Sequence, residues 1–303
     1  MRIAIASHIV LDKIKTNDGR LLESIGGPPC YCGITSRRFG FDVSIVTKVG
    51  RDMPRELCDM LQKNHIKLSE SMIVDSPTTK FLITWVDGSR DLRLNEKCES
   101  LTVEDVQKTT ADCWLVSPVL DEIPQNVFAE IKRNGGTRNF VMLDPQGYLR
   151  FVDHQGGVVL KDNLRIDLSG VNAIKVDNQE MAALTGGLGG LEGMQALNSL
   201  GIDFVLHTED RTIHLLHDQT RYWLTLNNID SSDSTGVGDI LCAAFSCAYI
   251  KERDPVWAIC FGAGAVKAAL ETRQVGIAKV PVMRDIEQNA SYLYNTIRFE
   301  HLS

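Results

Sequence analysis

The chain has 303 residues, 44% of them hydrophobic and 23% charged, with a formal net charge of −7. That size allows one large α/β domain or two smaller ones around an ordinary apolar core. The lack of a long basic block argues against a nucleic-acid partner, and no run of about 20 apolar residues offers a membrane span.

Met1–His8 is a short apolar run that soon turns polar, too short for a signal peptide. Strands are expected at Ile3–Ala6, Val43–Lys48, Cys113–Ser117, Phe140–Asp144, Ala173–Val176 and Phe204–Thr208. Helices are expected between them, near 28–39, 53–64, 103–109, 124–134, 178–185 and 190–200. A hairpin follows at Thr212–His217 and Tyr222–Leu226, then helices at 237–251, 254–271 and 282–297. Short continuous apolar strands alternating with helices predict a mostly parallel sheet with helices on both faces. Two segments break this rhythm, about 10–23 and 78–97, the second with an Asp87-Gly88 turn between extended runs. They read equally as a lid over a site or as two surface hairpins. Eight cysteines, at 30, 32, 58, 98, 113, 242, 247 and 260, form no Cys-x-x-Cys pair, which points to free thiols in a reducing cytoplasm.

Asp233-Ser234-Thr235-Gly236-Val237-Gly238-Asp239, followed at once by an apolar helical run, carries the chemistry. Two glycines let backbone approach a ligand, and a helix start offers unpaired N–H groups and a positive dipole end. Asp239 in the first turn adds a base. An anion hole with a base beside it suits phosphoryl transfer to a hydroxyl. As a plain structural residue, Asp239 would contribute a few tenths to about 1 kcal/mol against the helix dipole. No Gly-x-x-x-x-Gly-Lys-[Ser/Thr] is present, and the first strand lacks a Gly-x-Gly-x-x-Gly, so a P-loop and a nicotinamide-dependent dehydrogenase are both set aside. Asp144-Pro145-Gln146-Gly147 ends a buried strand, where open α/β sheets host ligands. Asp144 and Arg90 are therefore expected as substrate or phosphate contacts, or as a turn residue and a surface charge. His214 and His217 would point to opposite faces of a strand, His207 and His65 look isolated, and no transition-metal site is expected.

With these motifs in order, the chain resembles the PfkB/ribokinase family of carbohydrate and nucleoside kinases over nearly its full length. Gly26-Gly27-Pro28-Pro29-Cys30-Tyr31-Cys32-Gly33 matches the N-terminal signature, with Phe39-Gly40 and Lys48-Val49-Gly50-Arg51-Asp52 after it. Residues 233–239 resemble the C-terminal signature, and 174–186 the Asn-x-x-Glu segment. The resemblance implies a single ribokinase-like three-layer α/β sandwich over 1–303, with a small β lid from about 10–23 and 78–97. It implies transfer of the γ-phosphoryl group of ATP, with Mg2+, to a small polyol, sugar or nucleoside. Asp239 would be the catalytic base and Gly236, Val237 and Gly238 the anion hole. Asp12, Gly26, Gly27 and Tyr31 would bind the acceptor. Asp177, Glu180, Thr208 and Asp233 would lie on the nucleotide side, Glu180 reaching magnesium through water. A homodimer through the lid edges is expected.

Three positions depart from the family pattern. Asp177 replaces the usual Asn, Thr208-Glu209-Asp210-Arg211 lacks the usual glycines, and Tyr31 stands where ribokinase-like members carry Asn. An aromatic there favours stacking on a ring, which makes ribose a poorer acceptor. The form of the first signature, with Ser117-Pro118 and the 144–147 segment, looks most like kinases related to myo-inositol kinase. A nucleoside kinase and a non-catalytic sugar- or nucleotide-binding regulator are the alternatives.

Overall fold

The computed structural model describes residues 1–15, 21–86, 89–134, 139–227, 229 and 233–302. The strands are β1 (Arg2–Ala6), β2 (Val10–Lys15), β3 (Leu21–Gly26), β4 (Asp42–Val46), β5 (Val49–Gly50), β6 (Ile73–Val74), β7 (Thr79–Val86), β8 (Ser89–Glu96), β9 (Cys113–Val116), β10 (Phe140–Leu143), β11 (Arg150–Val152), β12 (Val158–Leu160), β13 (Ala173–Asp177), β14 (Phe204–Glu209), β15 (Thr212–His217), β16 (Thr220–Thr225) and β17 (Arg298–His301). The helices are α1 (Pro28–Arg38), α2 (Arg55–Lys63), α3 (Val103–Gln107), α4 (Gln125–Asn134), α5 (Gln146–Leu149), α6 (Asn178–Thr185), α7 (Gly190–Ser199), α8 (Val237–Glu252), α9 (Pro255–Glu271) and α10 (Met283–Tyr294).

Among the described residues the large sheet runs β17-β16-β15-β14-β13-β10-β9-β1-β4. Pairs from β4 to β14 are parallel, and the β14–β17 end is antiparallel. Side chains alternate along each strand. Ile3, Ile5, Cys113, Leu115, Phe140 and Met142 pack with α1, α8, α9 and α10 on one face. Ala4, Ala6, Trp114, Val116, Val141 and Leu143 pack with α4, α6 and α7 on the other. Both faces are covered, which is why these strands read as unbroken apolar runs. This is a ribokinase-like α/β fold.

The segments outside the rhythm form a second sheet, β3-β2-β7-β8. Val10 and Phe81 from it pack on Val119, with Leu92, Leu94 and Val158 alongside. The outer edge of β8 is covered at its middle: Leu94 N–H donates to the Gly156 carbonyl at 2.9 Å, and Arg93 bridges Gly157 in the turn between β11 and β12. That small hairpin has no signal in the sequence beyond two short apolar stretches. The C-terminal edge strand β17 was also unexpected; it pairs with β16 through Thr220–Trp223. Its residues are exposed and mixed in polarity, so no period marks it.

Local chemistry explains the helix starts. Gly27 has φ +86°, and a Cβ there would sit 2.5 Å from the His8 carbonyl oxygen, so the turn into α1 admits only glycine. Pro28 then begins the helix, where its missing N–H costs nothing. Asp254 accepts from the Val256 and Trp257 N–H groups ahead of Pro255. All eight cysteines are free thiols. Among the described residues no helix is long and apolar enough to cross a membrane.

Candidate active site

Parallel strands end on the same side, so the residues following them converge. Ser117 follows β9, Asp144 follows β10, Asp177 closes β13 and Thr208 lies near the end of β14. The start of α8 faces them. Gly236 caps it at φ +75°, and a Cβ there would lie 2.5 Å from the Tyr31 ring. Among the described residues no side chain caps α8. By contrast, α6 is closed by a reciprocal box in which Asp177 Oδ1 accepts from Glu180 N–H and Glu180 Oε2 accepts from Asp177 N–H, both at 2.8 Å. Val237 N–H donates to the Ser234 carbonyl at 3.3 Å, and the amides that follow it at the start of α8 face the site where an anion would sit.

Two cavities flank this turn. The larger, about 460 Å³, is lined by Lys175, Asp177, Thr208, Arg211, Ser234, Val237 and Gly238, with Ile213, Leu226, Ile229, Val266 and Leu270. The smaller, about 80 Å³, is lined by Asp12, Gly27, Tyr31, Phe81, Gln146, Arg150, Thr235, Gly236 and Asp239. The 234–239 turn is their common wall. A bigger cavity, about 700 Å³, lies among Trp223, Lys267, Glu271, Tyr292 and Arg298. It contains no member of the signature motifs, and the chemistry gathers at the other two.

Asp239 is buried, and Ser117 Oγ donates to its Oδ1 at 3.2 Å. Burial, then the nearby Asp144 carboxylate, push its carboxyl up to about 7, against Lys175, Ser117 and Arg150. Behind the turn, Lys175 Nζ lies 3.2 Å from Asp144 Oδ2 and 3.3 Å from Glu180 Oε2. Burial pushes Glu180 up to about 7 while Lys175 pulls the other way. Burial alone would lower the Lys175 ammonium, but Asp144 and Glu180 outweigh it and hold it charged. A Cβ on Gly238 would lie 3.4 Å from Lys175 Nζ, so the ammonium sits directly under the helix start.

Gly26 pairs with Val10 where β2 meets β3, and the Asp12 carboxylate reaches to within 2.9 Å of where its Cβ would be. Asp12, Gly27 and Tyr31 reach the small cavity, and Asp177 and Thr208 the large one. Asp144 stands in the ion-pair cluster rather than in the small cavity's wall. Asp233 sits behind the turn, accepting from Thr235 N–H at 2.8 Å and Gly276 N–H at 3.0 Å. Arg90 lies on β8, and its side chain falls outside the described residues. Tyr31 is buried with its ring against Gly236.

Sequence reasoning missed Lys175, Arg150 and Lys279. Lys175 had a signal: one charge between Ile174 and Val176 in a buried strand demands a partner. Arg150 Nη1 donates to the Val119 carbonyl at 2.8 Å and Nη2 to Gln146 Oε1 at 2.9 Å, and Gln146 Nε2 reaches Ser117 Oγ at 3.5 Å. Nothing in its local sequence announces that chain. His207 is not isolated: the antiparallel register sets it opposite His214, ring centroids 5.5 Å apart, with Glu209 near both. Arg221 Nη2 lies 3.3 Å from His214 Nδ1, and burial together with this guanidinium pushes His214 down to about 4. A fixed positive charge at that nitrogen opposes a bound metal ion.

A sheet of this order with an uncapped helix start between two cavities defines a phosphotransferase acting on an alcohol. The pfkB family carbohydrate kinase model matches residues 19–282, and the chain belongs to that family. It is 22% identical over 259 residues to the cytidine kinase of Thermococcus kodakarensis, covering 83% of this chain and 89% of that protein. Its fold superposes on a pyrophosphate-dependent kinase in the ribokinase family complexed with a pyrophosphate analog and myo-inositol. That match has TM-score 0.80 and 20% identity, over 95% of this chain and 99% of that one. The fructokinase with bound ATP from Xylella fastidiosa matches with TM-score 0.76 and 16% identity, over 96% and 98%.

Proposed function

We propose that this sugar/nucleoside-type kinase transfers the γ-phosphoryl group of ATP to a hydroxyl of a small polyol or sugar, myo-inositol foremost. The observation that carries the proposal is the shared wall. Asp239 faces the small cavity, while Ser234, Val237 and Gly238 face the large one. An acceptor hydroxyl in the small cavity gives its proton to the Asp239 carboxylate. Its oxygen attacks the γ-phosphorus, the bond to the β–γ bridging oxygen breaks, and ADP leaves. Amides at Gly236, Val237 and Gly238 meet the charge developing on the transferred group. A base titrating at about 7 is half ionised near neutral pH.

The apolar residues Ile213, Leu226, Val266 and Leu270 give a nucleobase a dry surface. That favours ATP over pyrophosphate as donor. The small cavity favours a compact acceptor such as a cyclic polyol over a nucleoside. Asp12, Gly26, Gly27 and Tyr31 would bind that acceptor, with the four-stranded sheet acting as a lid that excludes water. Thr208, Asp177 and Asp233 support the donor side. Magnesium fits here through its water shell: Glu180 Oε2 and Asp144 are already engaged by Lys175, and the ion keeps several waters beside donor phosphates. Glu180 and Asp177 would hold those waters, and the bound ion would offset phosphate charge. With the β8 edge covered at Arg93–Leu94, a homodimer through the lid would use the edge at β3.

The test is a panel of myo-inositol, other polyols, hexoses, ribose and nucleosides against ATP and pyrophosphate, followed by product phosphate position. Phosphorylation of a cyclic polyol by ATP is expected. Preference for cytidine, or for pyrophosphate as donor, would reassign the respective cavity. Tight sugar binding without any turnover would favour a regulator.

A further inference from the structure

Lys279 is a charged side chain with no solvent exposure at all. It lies at the end of the short helical turn Gly276–Lys279. Its Nζ lies 3.0 Å from Asp233 Oδ2 and donates to the Asp233 main-chain carbonyl at 3.0 Å. The same Asp233 carboxylate takes Thr235 N–H at 2.8 Å and Gly276 N–H at 3.0 Å. The ammonium also lies 5.9 Å from the centroid of the Tyr31 ring, and that ring packs on Gly236. These contacts bear on residues 233–236, the approach to the start of α8.

A buried ion pair is a poor way to gain stability, because desolvation offsets its attraction and apolar packing serves as well or better. An apolar side chain at 279 would fill the space but could not hold a carbonyl and a carboxylate at once. We infer that Lys279 is a positioning residue, a built-in cation that fixes the 233–236 turn so that the α8 amides and Asp239 meet the transferred phosphoryl group. It follows that no monovalent cation from solution is needed to hold this turn, since the Lys279 ammonium already spans the Asp233 carbonyl and carboxylate. This rests on the phosphotransfer reading above. Placement errors of about 1 Å can lower turnover on the order of 10²-fold, and a turn released from its cation is of that kind.

The test compares wild type and Lys279→Met in choline chloride, potassium chloride and ammonium chloride. Wild type is expected to turn over equally in all three. Lys279→Met is expected to lose kcat on the order of 10²-fold, with the acceptor KM nearly unchanged and the ATP KM raised. Ammonium or methylammonium should restore most of the loss by entering the vacated space. A wild-type requirement for potassium or ammonium overturns the inference, as does a variant with normal kcat or with a loss that no small cation restores. The wild-type arm stands even if the variant does not fold. If no acceptor is phosphorylated at all, the kinase reading fails by itself. The inference is then read from the rise in Tm on adding ATP. That rise should appear for wild type in choline chloride and for the variant only with ammonium; equal rises in both, or none in either, overturn it.

Discussion

The two cavities beside the 234–239 turn are built on opposite plans. The larger is formed by the large sheet and the helices behind it, from β13, β14, α8 and α9, all of which belong to the main core. The smaller takes Asp12 and Phe81 from the second sheet, Gln146 from α5 and Arg150 from β11. One is a fixed slot that mixes charge with apolar wall; the other exists only while two sheets stand together. At about 80 Å³ against 460 Å³, the smaller falls below the usual size of a ligand site, about 300–1,000 Å³. On the proposed function, the difference would place donor recognition on the main core and acceptor recognition where the two sheets meet.

The strongest way to break this picture acts on the shared wall. Asp239→Asn should lower kcat by about 10²–10⁴ with the fold intact; near-normal turnover in the purified variant would remove Asp239 from the reaction. Next comes the core side alone. Lys175→Met leaves Asp144 and Glu180 buried without their cation, and breaking such a cluster should lose about 3–5 kcal/mol of stability in denaturant melts at pH 8. The loss should shrink as pH falls through about 7, where Glu180 takes up a proton. A loss that ignores pH would mean that Lys175 serves packing, not charge.

A milder pair of variants separates the cavities. Asp12→Asn should raise the acceptor KM about tenfold, the scale of one charged hydrogen bond, and leave the ATP KM alone. Leu270→Gln should do the reverse. If either moved both constants together, the two cavities would not be independent sites.

The smallest effects are in pH. kcat/KM should rise with pH through about 7 as Asp239 ionises, and Asp144→Asn should move that rise to lower pH by removing a neighbouring negative charge. The Asp239 carboxyl is raised on folding above its unfolded value of 3.8. The folded chain therefore holds the proton longer, and stability from this group is present at low pH and falls between about 4 and 7. Asp239→Asn should accordingly melt at or above wild type at pH 8, by about 2–4 °C for each kcal/mol recovered. A variant that melts lower at pH 8 than at pH 5, relative to wild type, contradicts the sign.

Legibility followed locality. Most strands of the parallel core were visible because burial on both faces makes each a continuous apolar run, as in Cys113–Val116 and Phe140–Leu143. The site was visible where its parts are contiguous, as in 233–239 and 26–33. Asp144 was visible as a strand-end acid but not as the partner of Lys175, because that pairing depends on β10 lying beside β13. His207 appeared alone for the same reason: its neighbour His214 is set by the β14–β15 register. β17 and the β11–β12 hairpin carried no period, since exposed short strands need none.

Residue order by itself determined the alternation of strand and helix, the glycine-rich start of α8 and the acid in its first turn, because each depends on neighbours within a few positions. Tertiary structure alone decided that this acid is buried beside Ser117, Asp144 and Lys175 and titrates near 7, and that Lys279 grips Asp233 across 46 residues of chain. Those facts come from desolvation and from long-range charge pairing, and neither is a property of any stretch of sequence.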